Sequence, residues 1–84
     1  MAEIAWTTEA VDDLGKLDSP VRKRILNRVS WFATHFEEII PEPLSGDFAS
    51  TYKFRVGDWR IVYRLRDKRI LILAVDHRRE IYKH

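Results

Sequence analysis

The sequence predicts an α+β domain in which an N-terminal strand and a helical hairpin pack on a small antiparallel sheet, in the order β-α-α-β-β-β. Three observations carry this. Apolar residues recur every three or four positions up to about residue 38, and every second position after residue 50. The stretch "PEPLSGDFAS" (41–50), with two prolines and a glycine, separates the two regimes as a loop. Gly57-Asp58 then lies between two alternating runs, the pattern of a two-residue hairpin. With 84 residues the chain makes one domain, 1–84, able to bury roughly 60–65% of its unfolded surface.

Each element has its own signal. "AEIAW" (2–6) alternates and reads as a short first strand. Thr7 and Thr8 are N-cap candidates for a helix through about Leu17, with Glu9, Asp12 and Asp13 near its positive end. A second helix starts at "LDSP", where Ser19 can cap and Pro20 suits the first position. Val21, Ile25, Val29, Phe32 and Phe36 give it an apolar stripe and an expected span of 20 to about 38. Residues 51–56, 59–65 and 70–76 read as three strands, with Asp67-Lys68 as a second tight turn. "ILILAV" (70–75) is apolar at both parities and is expected in the sheet interior, followed by a short strand or extended tail holding "REIYKH".

Counting outward from Gly57-Asp58 fixes a register. Val56 faces Trp59, Arg55 faces Arg60, Phe54 faces Ile61, Lys53 faces Val62 and Tyr52 faces Tyr63. Pleating puts the aromatic and aliphatic set on one face, and Lys53, Arg55, Arg60 and Val62 on the other. Arg64 continues the cationic row. Directly opposed like charges destabilise an antiparallel pair by a few tenths to ~1 kcal/mol. Two readings follow: the side chains splay into water at little cost, or they converge on an anion supplied by a ligand.

The overall charge is +2, but it is unevenly spread. Residues 1–50 carry five Lys/Arg against nine Asp/Glu, and residues 51–84 carry ten against four. A basic half suits a polyanionic partner, RNA or DNA first, and is equally compatible with an ordinary solvated surface. Absent cysteine rules out disulfides and thiolate metal sites, and three scattered histidines make zinc improbable. No cofactor is expected. Neither a GxxxxGK[ST] or GxGxxG phosphate loop nor an HExxH motif occurs, and the serines have no visible His/Asp partners. No apolar run approaches the ~18 residues of a membrane span, and "MAEIAWTTEA" lacks the features of a signal peptide, so a cytoplasmic protein with no membrane partner is expected.

A second cluster, "DHRREIY", follows the interior strand. Either Arg78 or Arg79 should reach the face of Arg55 and Arg60. Tyr82 in such a place is more often a packing residue than a catalyst, and His77 more often a turn residue than a ligand. The basic face is read as free of paired carboxylates. Its inventory suits RNA phosphodiester chemistry in which the ribose 2′-hydroxyl is the nucleophile, needing a base, cations on the pentacovalent phosphate and an acid for the leaving 5′-oxygen. Arginine supplies phosphate recognition but, with a solution pKa above ~12, accepts protons poorly. Lys53 is the more plausible base if neighbouring cations ease its deprotonation.

The set Leu44-x-Gly46, Tyr52-Lys53-x-Arg55-x-Gly57-Asp58-x-Arg60-x-x-Tyr63 and His77-Arg78-Arg79-Glu80-x-Tyr82 resembles the RelE family of bacterial and archaeal toxins over nearly the whole chain. The resemblance implies a RelE-like fold and a toxin that cuts mRNA in the ribosomal A site without a metal. It also implies a cognate acidic antitoxin that holds the toxin inactive in a hetero-oligomeric complex. By the same resemblance Lys53, Arg55, Arg60, Arg78 and Tyr82 are the catalytic set, with Arg64, His77 and Arg79 as substrate contacts. Arg55 departs from the best-known enzyme type, where a lysine implicated as base stands at that position. The related ParE toxins, which share the fold but act on DNA gyrase, are the alternative, as is an inactive antitoxin-binding module.

Overall fold

A computed structural model describes residues 2–44 and 50–77. The elements are β1 (Glu3–Trp6), α1 (Thr8–Gly15), α2 (Ser19–Thr34), a 3-10 turn (Phe36–Glu38), β2 (Glu42–Pro43), β3 (Thr51–Val56), β4 (Trp59–Arg66) and β5 (Arg69–His77). They form one five-stranded sheet in the order β1-β5-β4-β3-β2, with the helical hairpin on one face. The expected tail strand falls on residues 78–84, outside the described residues.

Local chemistry explains most boundaries. Thr7 caps α1, its Oγ1 accepting the Ala10 N–H at 3.1 Å. The cap of α2 is Asp18 rather than Ser19. Ser19 is already helical, and Asp18 contributes its carbonyl to the Arg22 N–H at 2.9 Å while its side chain makes no capping bond. The second helix also stops sooner than its apolar stripe suggests. His35 leaves helical geometry (φ −102°, ψ 15°), and the chain tightens into the 3-10 turn that carries Phe36 against Phe32. Within the stretch read as loop, Glu42 and Pro43 pair with Lys53 and Tyr52. A proline is tolerated there because β2 is an edge strand.

The β3–β4 register agrees with the sequence count at every pair from Tyr52↔Tyr63 to Val56↔Trp59. Gly57 has φ +61° and Asp58 is not left-handed, as a type II′ turn requires. Asp67 opens the β4–β5 turn at φ +56°, a region aspartate tolerates better than most side chains.

The sheet is mixed, since β1 runs parallel to β5, from Glu3↔Arg69 to Trp6↔Ile72. These two strands are remote in sequence and joined by crossovers rather than a hairpin, so no turn dictates their direction. Beyond Trp6, the edge of β5 is completed by groups from the α1 region. The Thr7 N–H donates to Ile72 O at 3.0 Å, the Thr7 hydroxyl to Leu73 O at 3.2 Å, and Asp13 Oδ2 accepts the Val75 N–H at 3.0 Å. Helix α1 thus satisfies backbone that a longer β1 would otherwise cover.

One residue breaks the β4–β5 ladder. Tyr63 pairs with Ile72 but Val62 pairs with Ala74, leaving Leu73 as a bulge. Ile70, Ile72 and Val75 therefore all face the helices, where they join Ile61, Tyr63, Ile25, Val29 and Phe32. Each such buried side chain contributes about 1.5–3 kcal/mol. Phe32 stacks on Phe54 (4.2 Å, 8°) and meets Tyr63 edge-on (5.3 Å, 67°), which fixes α2 to the hairpin.

Tyr63 is wholly buried and its hydroxyl has no hydrogen-bond partner among the described residues. Burial, with smaller contributions from Tyr52 and Glu42, pushes its pKa up to about 12. An unmade hydrogen bond costs about 1–3 kcal/mol, so Tyr63→Phe should raise stability by about 1 kcal/mol in urea melts at neutral pH. The unfolded tyrosine ionises near pH 10, before the folded one. The native protein should therefore lose stability between about pH 10 and about 12 relative to the Phe variant. Equal pH dependence in the two proteins would contradict this.

Candidate functional site

The face of the sheet away from the helices carries the cations. On β3 these are Lys53 and Arg55, and on β4 Arg60 and Arg64. Arg55 and Arg64 are exposed, whereas the Arg60 and Lys53 side chains keep only 23% and 25% of their surface. Val62, between Arg60 and Arg64, is buried despite lying on this outer face.

The two half-buried cations have carboxylate partners. Arg60 Nη2 donates to Asp76 Oδ2 at 3.0 Å, and Lys53 Nζ lies 3.8 Å from Glu42 Oε1. Among the described residues the face thus holds two carboxylates, each bound to a cation rather than paired with the other. Asp76 reaches Arg60 because of the Leu73 bulge: an unbroken ladder would set Arg60 opposite Val75, whereas the observed partner is Asp76. Arg60 Nε is buried and makes no hydrogen bond among the described residues, so the guanidinium is held from one side with donor capacity remaining. Arg55, directly across from it, has no ion pair among the described residues.

The other expected site residues divide. His77 pairs with Trp59, and the two rings meet edge-to-face at 4.7 Å. That places His77 on the opposite side of the sheet from Arg55 and Arg60. Arg78, Arg79 and Tyr82 lie outside the described residues. Among the described residues, no group of three His, Asp or Glu side chains is arranged to hold a metal ion.

The sequence reading also missed a basic stripe on α2. Lys23, Arg24 and Arg28, with Trp31, line an open groove of about 710 Å³ whose other wall is Arg55, Val56 and Gly57. Helical spacing alone would have revealed the stripe. Its position beside Arg55 depends on how α2 lies across the sheet.

This chain matches, over residues 4–82, the family described as the ParE toxin of the type II toxin–antitoxin system parDE. The chain belongs to that family. Toxin RelG of Mycobacterium tuberculosis is 36% identical to it over 88 residues, spanning 95% of this chain and 94% of that protein. The M. tuberculosis toxin–antitoxin complex RelBE2 contains a chain that superposes with a TM-score of 0.80 at 29% identity, covering 92% of this chain and 98% of that one. The isolated E. coli RelE toxin gives 0.75 at 21% identity, covering 92% and 84%, a likeness of fold alone. The protein is thus a type II toxin of the RelE/ParE superfamily, and its α+β architecture is the one these toxins share.

A charge-assisted bond in a half-buried pair such as Arg60–Asp76 contributes about 1 kcal/mol after allowance for its exposure. Asp76→Asn and Arg60→Gln should each destabilise the toxin by about that much. The double variant should fall short of their sum by about 0.5 kcal/mol or more in a double-mutant cycle read by urea denaturation. Strict additivity would mean that the pair does not interact.

Proposed function

We propose that this toxin is a ribosome-dependent endoribonuclease that cuts A-site mRNA by attack of the 2′-hydroxyl on the adjacent phosphodiester. The observation that carries the reading is the Arg55–Arg60 pair on opposed residues of β3 and β4, with Arg60 oriented by Asp76. A guanidinium already held in place binds a phosphoryl oxygen with little reorganisation, which is the condition for strong electrostatic stabilisation of a transition state.

In this reaction the 2′-oxygen forms a bond to phosphorus and the 5′-oxygen leaves. The products are a 2′,3′-cyclic phosphate and a 5′-hydroxyl. The 2′-proton passes to water, and a proton from water reaches the leaving 5′-oxygen. Arg55 and Arg60 act on the non-bridging oxygens, with Arg64 further along the strand on a neighbouring phosphate. The sequence makes Lys53 the expected base on condition of a cationic surrounding, but its charged neighbour is the Glu42 carboxylate at 3.8 Å. Lys53 is therefore assigned to phosphate binding. By the family resemblance, Arg78 and Tyr82 are proposed for phosphate contact and base stacking.

The RelBE2 structure and that of RelB–RelE from Methanococcus jannaschii are antitoxin–toxin complexes. By analogy the basic face is covered, until release, by a cognate acidic antitoxin. A second reading is supported by the family match itself and by the P. aeruginosa ParDE structure (TM-score 0.71, 19% identity): a non-nuclease toxin directed at gyrase. Against it stands the concentration of Lys53, Arg55, Arg60 and Arg64 on one face of the sheet.

Arg60→Ala in a translating extract should lower mRNA cleavage about 10²–10³-fold, the usual loss for one preorganised charge donor. Because that change also strips Asp76 of its partner, Arg60→Ala/Asp76→Asn serves as the matched variant and should be equally inactive. Cleavage at the parental rate would remove Arg60 from the site. Inhibition of gyrase supercoiling by a parent protein that leaves translated mRNA intact would replace the nuclease with the gyrase reading.

A further inference from the structure

Positions 20, 23, 24, 27, 28 and 31 form one continuous stripe of α2, next to the buried stripe of Ile25, Val29 and Phe32. The stripe faces the end of the β3–β4 hairpin across the open groove, and Lys23, Arg24, Arg28 and Arg55 converge there without one acidic residue in the lining. None of the four has an ion pair among the described residues. This contrasts with the outer sheet face, where Lys53 and Arg60 are both matched by carboxylates.

Two of these cations are held in position. A Cβ at Gly57 would come within 3.1 Å of both terminal nitrogens of Arg24, so the bare backbone of the turn is what lets that guanidinium lie against it. Arg28 sits over the Trp31 ring, its guanidinium carbon 4.4 Å from the centroid. Trp31 is itself held by His35, which stacks on it at 4.3 Å and donates an Nδ1–H bond of 2.9 Å to the Trp31 carbonyl. Ordered like charges with no protein counter-charge form a surface completed by an external polyanion.

The geometry points to this groove as a phosphodiester track, which carries the RNA strand toward the sheet site by way of Arg55, the residue common to both. The inference rests on the nuclease reading for the identity of the strand's destination. Successive cations on α2 rise by about 6 Å per four residues, a spacing suited to consecutive backbone phosphates. An acidic peptide is the less suitable occupant, because the large apolar side chain of the groove, Trp31, is already covered by Arg28 and His35 rather than open as an anchor. The exposed Leu26 lies instead in a separate cleft with Ile4 and Trp6.

The test is fluorescence anisotropy with the full chain and a labelled single-stranded RNA carrying 2′-O-methyl groups throughout, which cannot be cleaved by 2′ attack. Lys23→Gln/Arg24→Gln replaces two exposed cations, and native folding of the variant is checked by circular dichroism. Binding should weaken about tenfold at low salt, and the slope of log K against log [salt] should become shallower by about 1.4. Arg28→Gln alone should reduce the slope by about 0.7. Parental affinity and slope in both variants would overturn the track. So would a polyglutamate peptide of equal length that displaces the RNA at lower concentration than unlabelled RNA does. Because this probe reports binding alone, failure of the nuclease reading appears separately, as uncut mRNA in the translating extract.

Discussion

A single extra residue in β5 organises much of this molecule. The sequence of that strand, Ile70-Leu-Ile-Leu-Ala-Val-Asp76, cannot alternate strictly without turning Ala74 and Asp76 toward the helices. Burying a carboxylate there would cost several kcal/mol, far more than the local disruption of a ladder. The Leu73 bulge resolves the conflict. It returns Val75 to the core, and it sends Asp76 outward to Arg60. The carbonyl of the bulged residue is taken up by Thr7, the same side chain that caps α1. Core composition, helix docking and the orientation of the proposed phosphate-binding arginine therefore meet at one backbone irregularity.

The second organising feature is the contrast in how cations are treated on the two surfaces. On the sheet face Arg60 and Lys53 are half-buried and matched by carboxylates, an arrangement that restrains them at modest energetic return. On α2 the cations are exposed and unmatched, and Arg24 and Arg28, four residues apart, repel by a few tenths of a kcal/mol. The proposed cleavage of a bound strand would draw on both kinds. Charges matched by carboxylates suit the reacting phosphate, where position matters most, while charges without a counter-ion suit a backbone track, where summed potential matters more than geometry. Gly57 connects the two surfaces, since its positive φ closes the hairpin and its missing side chain admits Arg24.

The hairpin was legible because a two-residue turn leaves only one register. Once Gly57-Asp58 was recognised, each cross-strand pair on β3 and β4 followed by counting, and so did the opposition of Arg55 and Arg60. Signals of comparable strength marked α1 through Thr7 and the α2 core stripe through Ile25, Val29 and Phe32. Weaker local signals gave less. The cap of α2 falls at Asp18, one residue before the Ser19 expected from the sequence, and the short pairing of Glu42-Pro43 hides in what composition alone marks as loop. The half-by-half charge count was misleading for the site, because Lys23, Arg24 and Arg28 belong to the acidic half of the chain and to the basic side of the fold.

By itself the sequence determined the element order, the helix-facing sides of α2 and the hairpin, and the row of cations on the opposite sheet face. These depend on periodicity and on one turn, which are local properties of the chain. Only the tertiary structure decided that β1 lies parallel to β5, that Asp76 holds Arg60 from one side, and that α2 brings its own cations to Arg55. Each of these joins segments far apart in sequence. Such contacts are set by competition for burial across the whole core, and no local pattern encodes its outcome.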